Sequence, residues 1–173
     1  YQFINAYSGI GTFASDSKSI SIDNGNGQIN IFVFSEDRSR AELVGSYAGR
    51  GIWHKKMGNH TNIAGGVFSD DNSKLLVNIV ASGIYQDEVG VVVYDVTTGE
   101  SVDFPFDRLS VASAIWLPKL ETYAMILCKD YAYCHLAILD LEKGTFESYF
   151  LKDTYSGSYA ALEFSTNGDL LIS

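Results

Sequence analysis

The chain has 173 residues, of which 46% are hydrophobic and 19% charged, a balance typical of a folded globular domain rather than a disordered segment. Its net charge of −9, with basic residues scattered along the chain, disfavours contact with a phosphate backbone, so we expect no nucleic-acid partner. The apolar stretches all fall short of the roughly 20 residues that a helix needs to cross a bilayer, so we expect no membrane span.

The predicted elements follow one plan that recurs along the chain. A short run of small and apolar residues ends in an aromatic residue, and a polar turn and further apolar strands follow it. A tandem unit of roughly 40–50 residues, all strand and turn, predicts a repeat architecture whose neighbouring units cover each other's apolar faces. The aromatic residues mark these units at intervals of about 50 positions: Phe13, Phe68, Trp116 and Phe164. If Phe68, Trp116 and Phe164 occupy equivalent positions, each should be buried.

Each unit is predicted to contain antiparallel strands A to D in chain order. Strand A ends at the marker aromatic residue: Gly9–Phe13, Ala64–Phe68, Ala112–Trp116 and Ala160–Phe164. In strand B, Leu75–Val80 is apolar almost throughout, which predicts burial on both faces. Strand C is predicted in three units: Gln28–Phe34, Gly90–Val96 and His135–Leu141. Strand D follows in each of them: Ala41–Val44, Val102–Phe104 and Phe146–Phe150.

The turns after strand C are alike in the second and third units. Tyr94–Glu100 and Leu139–Thr145 each contain an Asp, a polar pair and a Gly. This order is typical of a tight hairpin in which the glycine adopts a positive φ, so Gly99 and Gly144 are predicted to do so.

These repeats resemble the blades of β-propellers of the WD40 and YVTN type. The segments Phe68–Val77 and Val93–Glu100 carry the resemblance, and Phe164–Leu171 repeats the first of them. Asp95 and Asp140 occupy the Asp half of the WD40 Trp-Asp pair, but the Trp and the Gly-His dipeptide of WD40 repeats are missing. The resemblance implies an all-β fold, a divergent β-propeller of four-stranded antiparallel blades.

One domain is expected, with blade 1 at about 8–45, blade 2 at about 62–105, blade 3 at about 110–151 and blade 4 beginning at about 158. About three and a half blades are therefore present, too few to close a ring readily. We expect the chain to be an excerpt of a longer protein, or half of a propeller that a second polypeptide completes. A self-sufficient four-bladed ring is the alternative.

Cys128 and Cys134 flank the predicted turn between strands B and C of blade 3. Facing positions at the end of a hairpin are within reach of a disulfide, which would indicate an oxidising, extracytoplasmic compartment. Two free, half-buried thiols in an intracellular protein are the alternative, and the sequence leaves both open. Asn59 begins a triplet that fits N-glycosylation, although such triplets are common by chance. Together the two features favour secretion slightly.

The single local basic cluster of the sequence includes an aromatic residue and lies between blades 1 and 2. Its functional interpretation is a partner-binding loop for an anionic or protein partner, because exposed loops on a rigid scaffold often carry binding residues. The alternative is a solvated connector whose tryptophan packs on the adjacent blade. The residues of this cluster are Arg50, Trp53, His54, Lys55 and Lys56.

No motif in the sequence specifies a reaction. The three histidines have no nucleophile at a recognised spacing, and neither a Gly-x-Ser-x-Gly elbow nor a phosphate-binding glycine loop occurs. We predict no metal site and no cofactor. Three acidic pairs fall in predicted turns and are interpreted as solvated: Glu36-Asp37, Asp70-Asp71 and Asp87-Glu88.

We therefore expect a non-enzymatic scaffold that binds a protein partner. One such partner would be the remainder of the propeller, on the same or another chain. The alternative is the propeller domain of an enzyme. The resemblance implies two such enzymes, a prolyl-oligopeptidase-like serine peptidase, in which the propeller gates the substrate, and a YVTN-like lactonase.

Overall fold

The computed structural model describes residues 11–14, 18–23, 28–48, 61–81, 88–129, 133–151, 162–164 and 169–172. All regular structure in these ranges is β-strand, which confirms the predicted all-β class. None of the elements described is a helix with the length and apolar character needed to cross a bilayer.

The described strands form three four-stranded sheets and one two-stranded sheet, numbered here in chain order. Sheet 1 contains β1 (Gly11–Phe13), β2 (Ser19–Asp23), β3 (Gln28–Phe34) and β4 (Ala41–Ala48). Sheet 2 contains β5 (Thr61–Phe68), β6 (Lys74–Ala81), β7 (Glu88–Asp95) and β8 (Ser101–Asp107). Sheet 3 contains β9 (Ser110–Leu117), β10 (Thr122–Lys129), β11 (Tyr133–Asp140) and β12 (Thr145–Phe150). Sheet 4 pairs β13 (Leu162–Phe164) with β14 (Leu170–Ile172).

Every pairing joins strands that are consecutive in the chain and antiparallel, so each sheet is a meander. In sheet 2, for example, Phe68 pairs with Leu75, and Lys74 pairs with Asp95. The first strands of neighbouring sheets lie side by side: β1 contacts β5, β5 contacts β9, and β9 contacts β13. The Leu162 N–H donates to Ser113 Oγ at 3.2 Å across the last of these contacts. This is the order expected when strand A of each propeller blade is innermost.

Apolar side chains fill the spaces between consecutive sheets. In sheet 2, Leu75, Val77 and Ile79 belong to a core shared with sheet 1, whereas Leu76 belongs to a core shared with sheet 3. Successive side chains of a strand point to opposite faces, so a strand buried on both faces must be apolar at nearly every position. The prediction of burial on both faces for this strand is confirmed at Leu75, Leu76, Val77 and Ile79.

The marker aromatic residues differ in burial. Phe68 and Trp116 are 6% and 8% exposed and lie in the cores between sheets, as predicted. Phe164 is 40% exposed, so the expectation that it is equally buried is wrong. It lies in the two-stranded sheet 4, whose apolar contacts with sheet 3 involve Leu162 and Leu170. Phe164 is two positions from Leu162 and shares its face towards sheet 3, but its ring lines a cavity between sheets 3 and 4 instead of a packed core, so it stays partly exposed.

Candidate interaction face

One face of the molecule carries the turns that join first to second strands and third to fourth strands. In an antiparallel meander these two turns lie at the same edge of each sheet. We call the five described turns the turn face, and its segments are 35–40, 69–74, 95–100, 118–121 and 140–144. Leu141 of sheet 3 lines the same cavity as Asp95 and Glu100 of sheet 2, so the turns of neighbouring sheets adjoin.

Two turns of this face share a sequence and a hydrogen-bond pattern. Ser35–Arg40 joins β3 to β4, Ser69–Lys74 joins β5 to β6, and both read Ser-x-Asp-x-Ser followed by a basic residue. Asp37 Oδ1 accepts hydrogen bonds from Ser35 Oγ at 2.6 Å and from the Ser39 N–H at 3.0 Å. Asp71 Oδ1 accepts the equivalent bonds from Ser69 and Ser73 at the same distances. A central aspartate therefore fixes each turn.

These hydrogen bonds keep both aspartates ionised. The Ser35 hydroxyl, followed by the N–H and hydroxyl of Ser39, lowers the pKa of Asp37 to about 2. The Ser69 hydroxyl, followed by the N–H and hydroxyl of Ser73, lowers the pKa of Asp71. Hydrogen bonds donated to a carboxylate favour its charged form, so both turns carry a fixed negative charge at neutral pH.

The turns after the third strands of sheets 2 and 3 have the predicted glycines. Gly99 has φ of 77° and Gly144 has φ of 65°, which confirms the positive φ predicted from the sequence. The Asp95 carboxylate accepts hydrogen bonds from the N–H groups of Thr97 and Thr98. Asp140 accepts from the Lys143 N–H and pairs with its ammonium group, and this side-chain bond is the main reason that the pKa of Asp140 is lowered.

The turn face is acidic. Its five segments contain nine carboxylates and five basic side chains. Two of the predicted acidic pairs, Glu36-Asp37 and Asp70-Asp71, lie on it. In each pair the second residue, an aspartate, accepts hydrogen bonds from serines rather than being merely solvated. Of the third pair, Glu88 begins β7 at the opposite edge of sheet 2, and Asp87 lies outside the described residues.

Among the described residues, two of the cavities between sheets open on the turn face. An apolar cavity of about 460 Å³ lies between sheets 3 and 4 and is lined by 117–120, Ile138, Phe164 and Leu170. Leu120 at its edge is 62% exposed. A polar cavity of about 490 Å³ lies between sheets 2 and 3 and is lined mainly by Lys74, Asp95, Glu100, Ser101, Val102 and Leu141. Both volumes fall in the range of about 300–1,000 Å³ that is typical of binding pockets.

The predicted site residues lie elsewhere. Cys128 and Cys134 pair directly across β10 and β11 at the edge opposite the turn face, and their sulfur atoms are 2.05 Å apart, as in a disulfide. Both cysteines are buried. The basic cluster from Arg50 to Lys56 and the glycosylation triplet at Asn59 lie outside the described residues.

Comparison with known proteins identifies the fold but no close relative. No protein family model matches the chain, and no curated protein matches it. Three solved structures that it resembles illustrate the range of matches. The C-terminal WD40 domain of Sif2 matches with a TM-score of 0.59 and 12% identity, over 94% of this chain and 44% of that domain.

The other two structures are enzymes. Dipeptidyl peptidase 4 of Porphyromonas gingivalis matches with a TM-score of 0.58 and 13% identity, over 94% of this chain and 29% of that one. The periplasmic gluconolactonase PpgL of Pseudomonas aeruginosa matches with a TM-score of 0.53 and 13% identity, over 86% of this chain and 40% of that one. The chain thus spans less than half the length of each of these proteins.

The fold is a β-propeller built from four-stranded antiparallel blades, as the sequence predicted. Sheets 1 to 3 are the described blades, and sheet 4 holds two strands of another. Similarity at 12–13% identity shows the fold alone, and it extends to a WD40 domain, a peptidase and a lactonase. The neighbours therefore do not distinguish a scaffold from an enzyme.

Sequence reasoning missed the two cavities. Both depend on the spacing between sheets, which a pattern along one strand does not determine. One signal was present, because the turn Pro118–Glu121 contains the apolar residue Leu120, whereas the equivalent turn of sheet 2, Ser69–Lys74, is polar throughout. The Ser-x-Asp-x-Ser repeat of the two aspartate turns was a second signal.

Proposed function

We propose that this propeller is a protein-interaction module that binds a partner protein on its turn face. The observation that supports this proposal is the apolar cavity of about 460 Å³ beside the exposed Leu120. Protein interfaces concentrate their binding energy in a few apolar side chains that fill pockets at the centre of the contact, with polar residues around them. An apolar side chain of the partner would occupy the cavity, and Leu120 would pack against its rim.

The other turns of this face suit the role because they are held in place before binding. The aspartate turns and the glycine turns satisfy their own backbone groups with internal hydrogen bonds. A face that is already ordered loses little conformational entropy when a partner binds. The acidic character of the turn face further favours a partner with a basic surface.

The cysteine pair is consistent with a partner outside the reducing cytosol. A disulfide between Cys128 and Cys134 would persist in an oxidising compartment and would be reduced in the cytosol. We therefore propose that the protein and its partner meet in an oxidising compartment.

The proposal is tested by comparing two single variants in partner capture from the natural source. Leu120→Asp places a charge at the rim of the apolar cavity, whereas Leu43→Asp places one on β4, where Leu43 is also exposed, at 52%. We expect a partner retained by the wild type and by Leu43→Asp to be depleted about tenfold or more on Leu120→Asp, because burying an unpaired charge in an interface is costly. Capture that is equal on both variants would refute the proposal.

The enzyme alternative makes a different prediction. A peptidase or lactonase would hydrolyse a peptide or lactone substrate. In that case the Leu120→Asp and Leu43→Asp variants would capture equal amounts of any partner. Hydrolysis of such a substrate by the purified protein, without a Leu120-dependent partner, would favour the enzyme.

A further inference from the structure

The polar cavity between sheets 2 and 3 has features that point to a particular ligand chemistry. Its mouth is formed where β7 ends at Asp95 and β8 begins at Ser101, with Lys74 at the start of β6 beside them. Leu141 in the turn after β11 supplies the opposite wall. The cavity therefore opens on the turn face, as the apolar cavity does.

Two carboxylates at the mouth are not fully paired. Asp95 Oδ1 accepts the N–H groups of Thr97 and Thr98 at 2.9 and 2.8 Å, which fixes the carboxylate in place. Its Oδ2 lies 3.8 Å from the Lys74 ammonium, beyond the roughly 3.2 Å limit of a good hydrogen bond. Glu100 is exposed, its N–H donates to Thr98 Oγ1, and no described residue donates to its carboxylate.

The charge and the walls of the cavity complement a basic side chain. Asp95 and Glu100 outweigh Lys74, so the mouth has a net negative charge. Val93, Val102 and Leu141 give the interior an apolar wall. A side chain with an aliphatic stem and a cationic end would place its stem on this wall and its charge between the carboxylates. Lysine and arginine both fit this description. Arginine fits better, because its guanidinium presents several N–H donors in a planar fork that can reach two carboxylates together.

We propose that the cavity between sheets 2 and 3 receives an arginine side chain of a protein partner. The guanidinium would donate hydrogen bonds to Asp95 Oδ2 and to the Glu100 carboxylate, and the stem would lie against Val102 and Leu141. This inference rests on the proposed interaction role of the turn face and specifies the partner segment as basic. The two sites have separate tests, because one depends on Leu120 and the other on Glu100.

The test is a titration of the isotope-labelled 173-residue protein with the peptide acetyl-Gly-Arg-Gly-amide, followed by NMR. We expect the backbone amide signals of Glu100, Ser101 and Val102 to shift on binding. The same peptide with citrulline in place of arginine keeps the shape and loses the charge, so it should bind about tenfold more weakly. Equal binding of the citrulline peptide would overturn the proposal.

Three variants separate the proposed contact from damage to the fold. Glu100→Gln should weaken binding of the arginine peptide about tenfold, whereas Glu42→Gln, at an exposed site on β4, should leave it unchanged. Lys74→Gln removes the cation that competes for Asp95 and should strengthen binding about threefold. A variant that merely disturbed the fold would weaken binding, so a loss with Lys74→Gln would contradict the proposal.

The remaining outcomes are also decisive. If calcium chloride shifts the Glu100 and Ser101 signals and the arginine peptide does not, the cavity binds a metal ion and the proposal is overturned. If the arginine peptide does not bind but a partner is still captured in a Leu120-dependent way, the arginine site is refuted and the interaction role stands. Peptide binding together with equal partner capture on Leu120→Asp and Leu43→Asp would support the arginine site and refute the contact at the apolar cavity.

Discussion

Tyr123 shows how a single residue joins two blades. It lies in β10, is fully buried, and contacts Trp116 with ring centroids 4.8 Å apart. Its hydroxyl faces the backbone of Ser69 and Leu76 in sheet 2 but forms no hydrogen bond of good geometry. Burial, with a smaller contribution from the Asp71 carboxylate, raises the pKa of Tyr123 far above its usual range, so the hydroxyl stays protonated.

An unsatisfied buried hydroxyl costs stability, so its removal should be harmless. We predict that Tyr123→Phe leaves the free energy of unfolding unchanged or raises it by about 1 kcal/mol. Tyr123→Ala, which removes the ring as well, should lower it by about 3–5 kcal/mol. Urea denaturation of the two variants measures both effects. A loss above about 1.5 kcal/mol for Tyr123→Phe would mean that the hydroxyl has a hydrogen-bond partner in the folded protein.

At the scale of the element, the aspartate turns explain why short polar segments hold their shape. Ser35–Arg40 and Ser69–Lys74 join different strand pairs, yet the same residues make the same bonds around Asp37 and Asp71. Arg38 and Asn72 adopt φ of 55° and 60° in the two turns. Such a positive φ is unfavourable for most side chains, and the hydrogen bonds to the aspartate help to offset it.

The charge of Asp37 should depend on its serine partners. We predict that Ser35→Ala raises the pKa of Asp37 from about 2 towards the value of about 4 usual for aspartate, because the hydroxyl is the largest cause of the lowered pKa. A carbon-detected NMR titration of the side-chain carboxyl group measures this. Ser46→Ala is the matched control, since the Ser46 hydroxyl donates to Asn30 instead. An unchanged Asp37 pKa in Ser35→Ala would contradict the account.

The same shift has a consequence for stability against pH. The pKa of Asp37 is lower in the folded state, so ionised Asp37 stabilises the fold above about pH 4. This stabilisation is lost as the pH falls through about 2. The difference in stability between the wild type and Ser35→Ala should therefore be largest above about pH 4 and should shrink towards pH 2.

Individual elements were predictable where local chemistry determines them. The bounds Gln28–Phe34 predicted for strand C of the first blade are those of β3, because alternating apolar residues end there at a polar turn. Gly99 and Gly144 were predictable because their turns require a positive φ. The exposure of Phe164 and the two cavities were not, because they depend on what lies across from a strand rather than on the strand itself.

At the scale of the whole molecule, the stacking of sheets explains both the cores and the turn face. The central strands of sheets 2 and 3 send alternate side chains to the cores on their two sides. Val92 of β7 belongs to the core with sheet 1, whereas Val91 and Val93 belong to the core with sheet 3. The same stacking aligns the turns of successive sheets at one edge, where the cavities open between them.

This stacked arrangement, on which both proposed sites depend, is tested most directly by NMR of the protein with labelled Ile, Leu and Val methyl groups. The alternation predicts nuclear Overhauser contacts from Val92 to the methyl groups of Ile29 or Ile31 in sheet 1. It predicts contacts from Val91 and Val93 to methyl groups of sheet 3, such as Leu127 or Leu139. Contacts from all three valines to the same sheet would contradict the propeller arrangement.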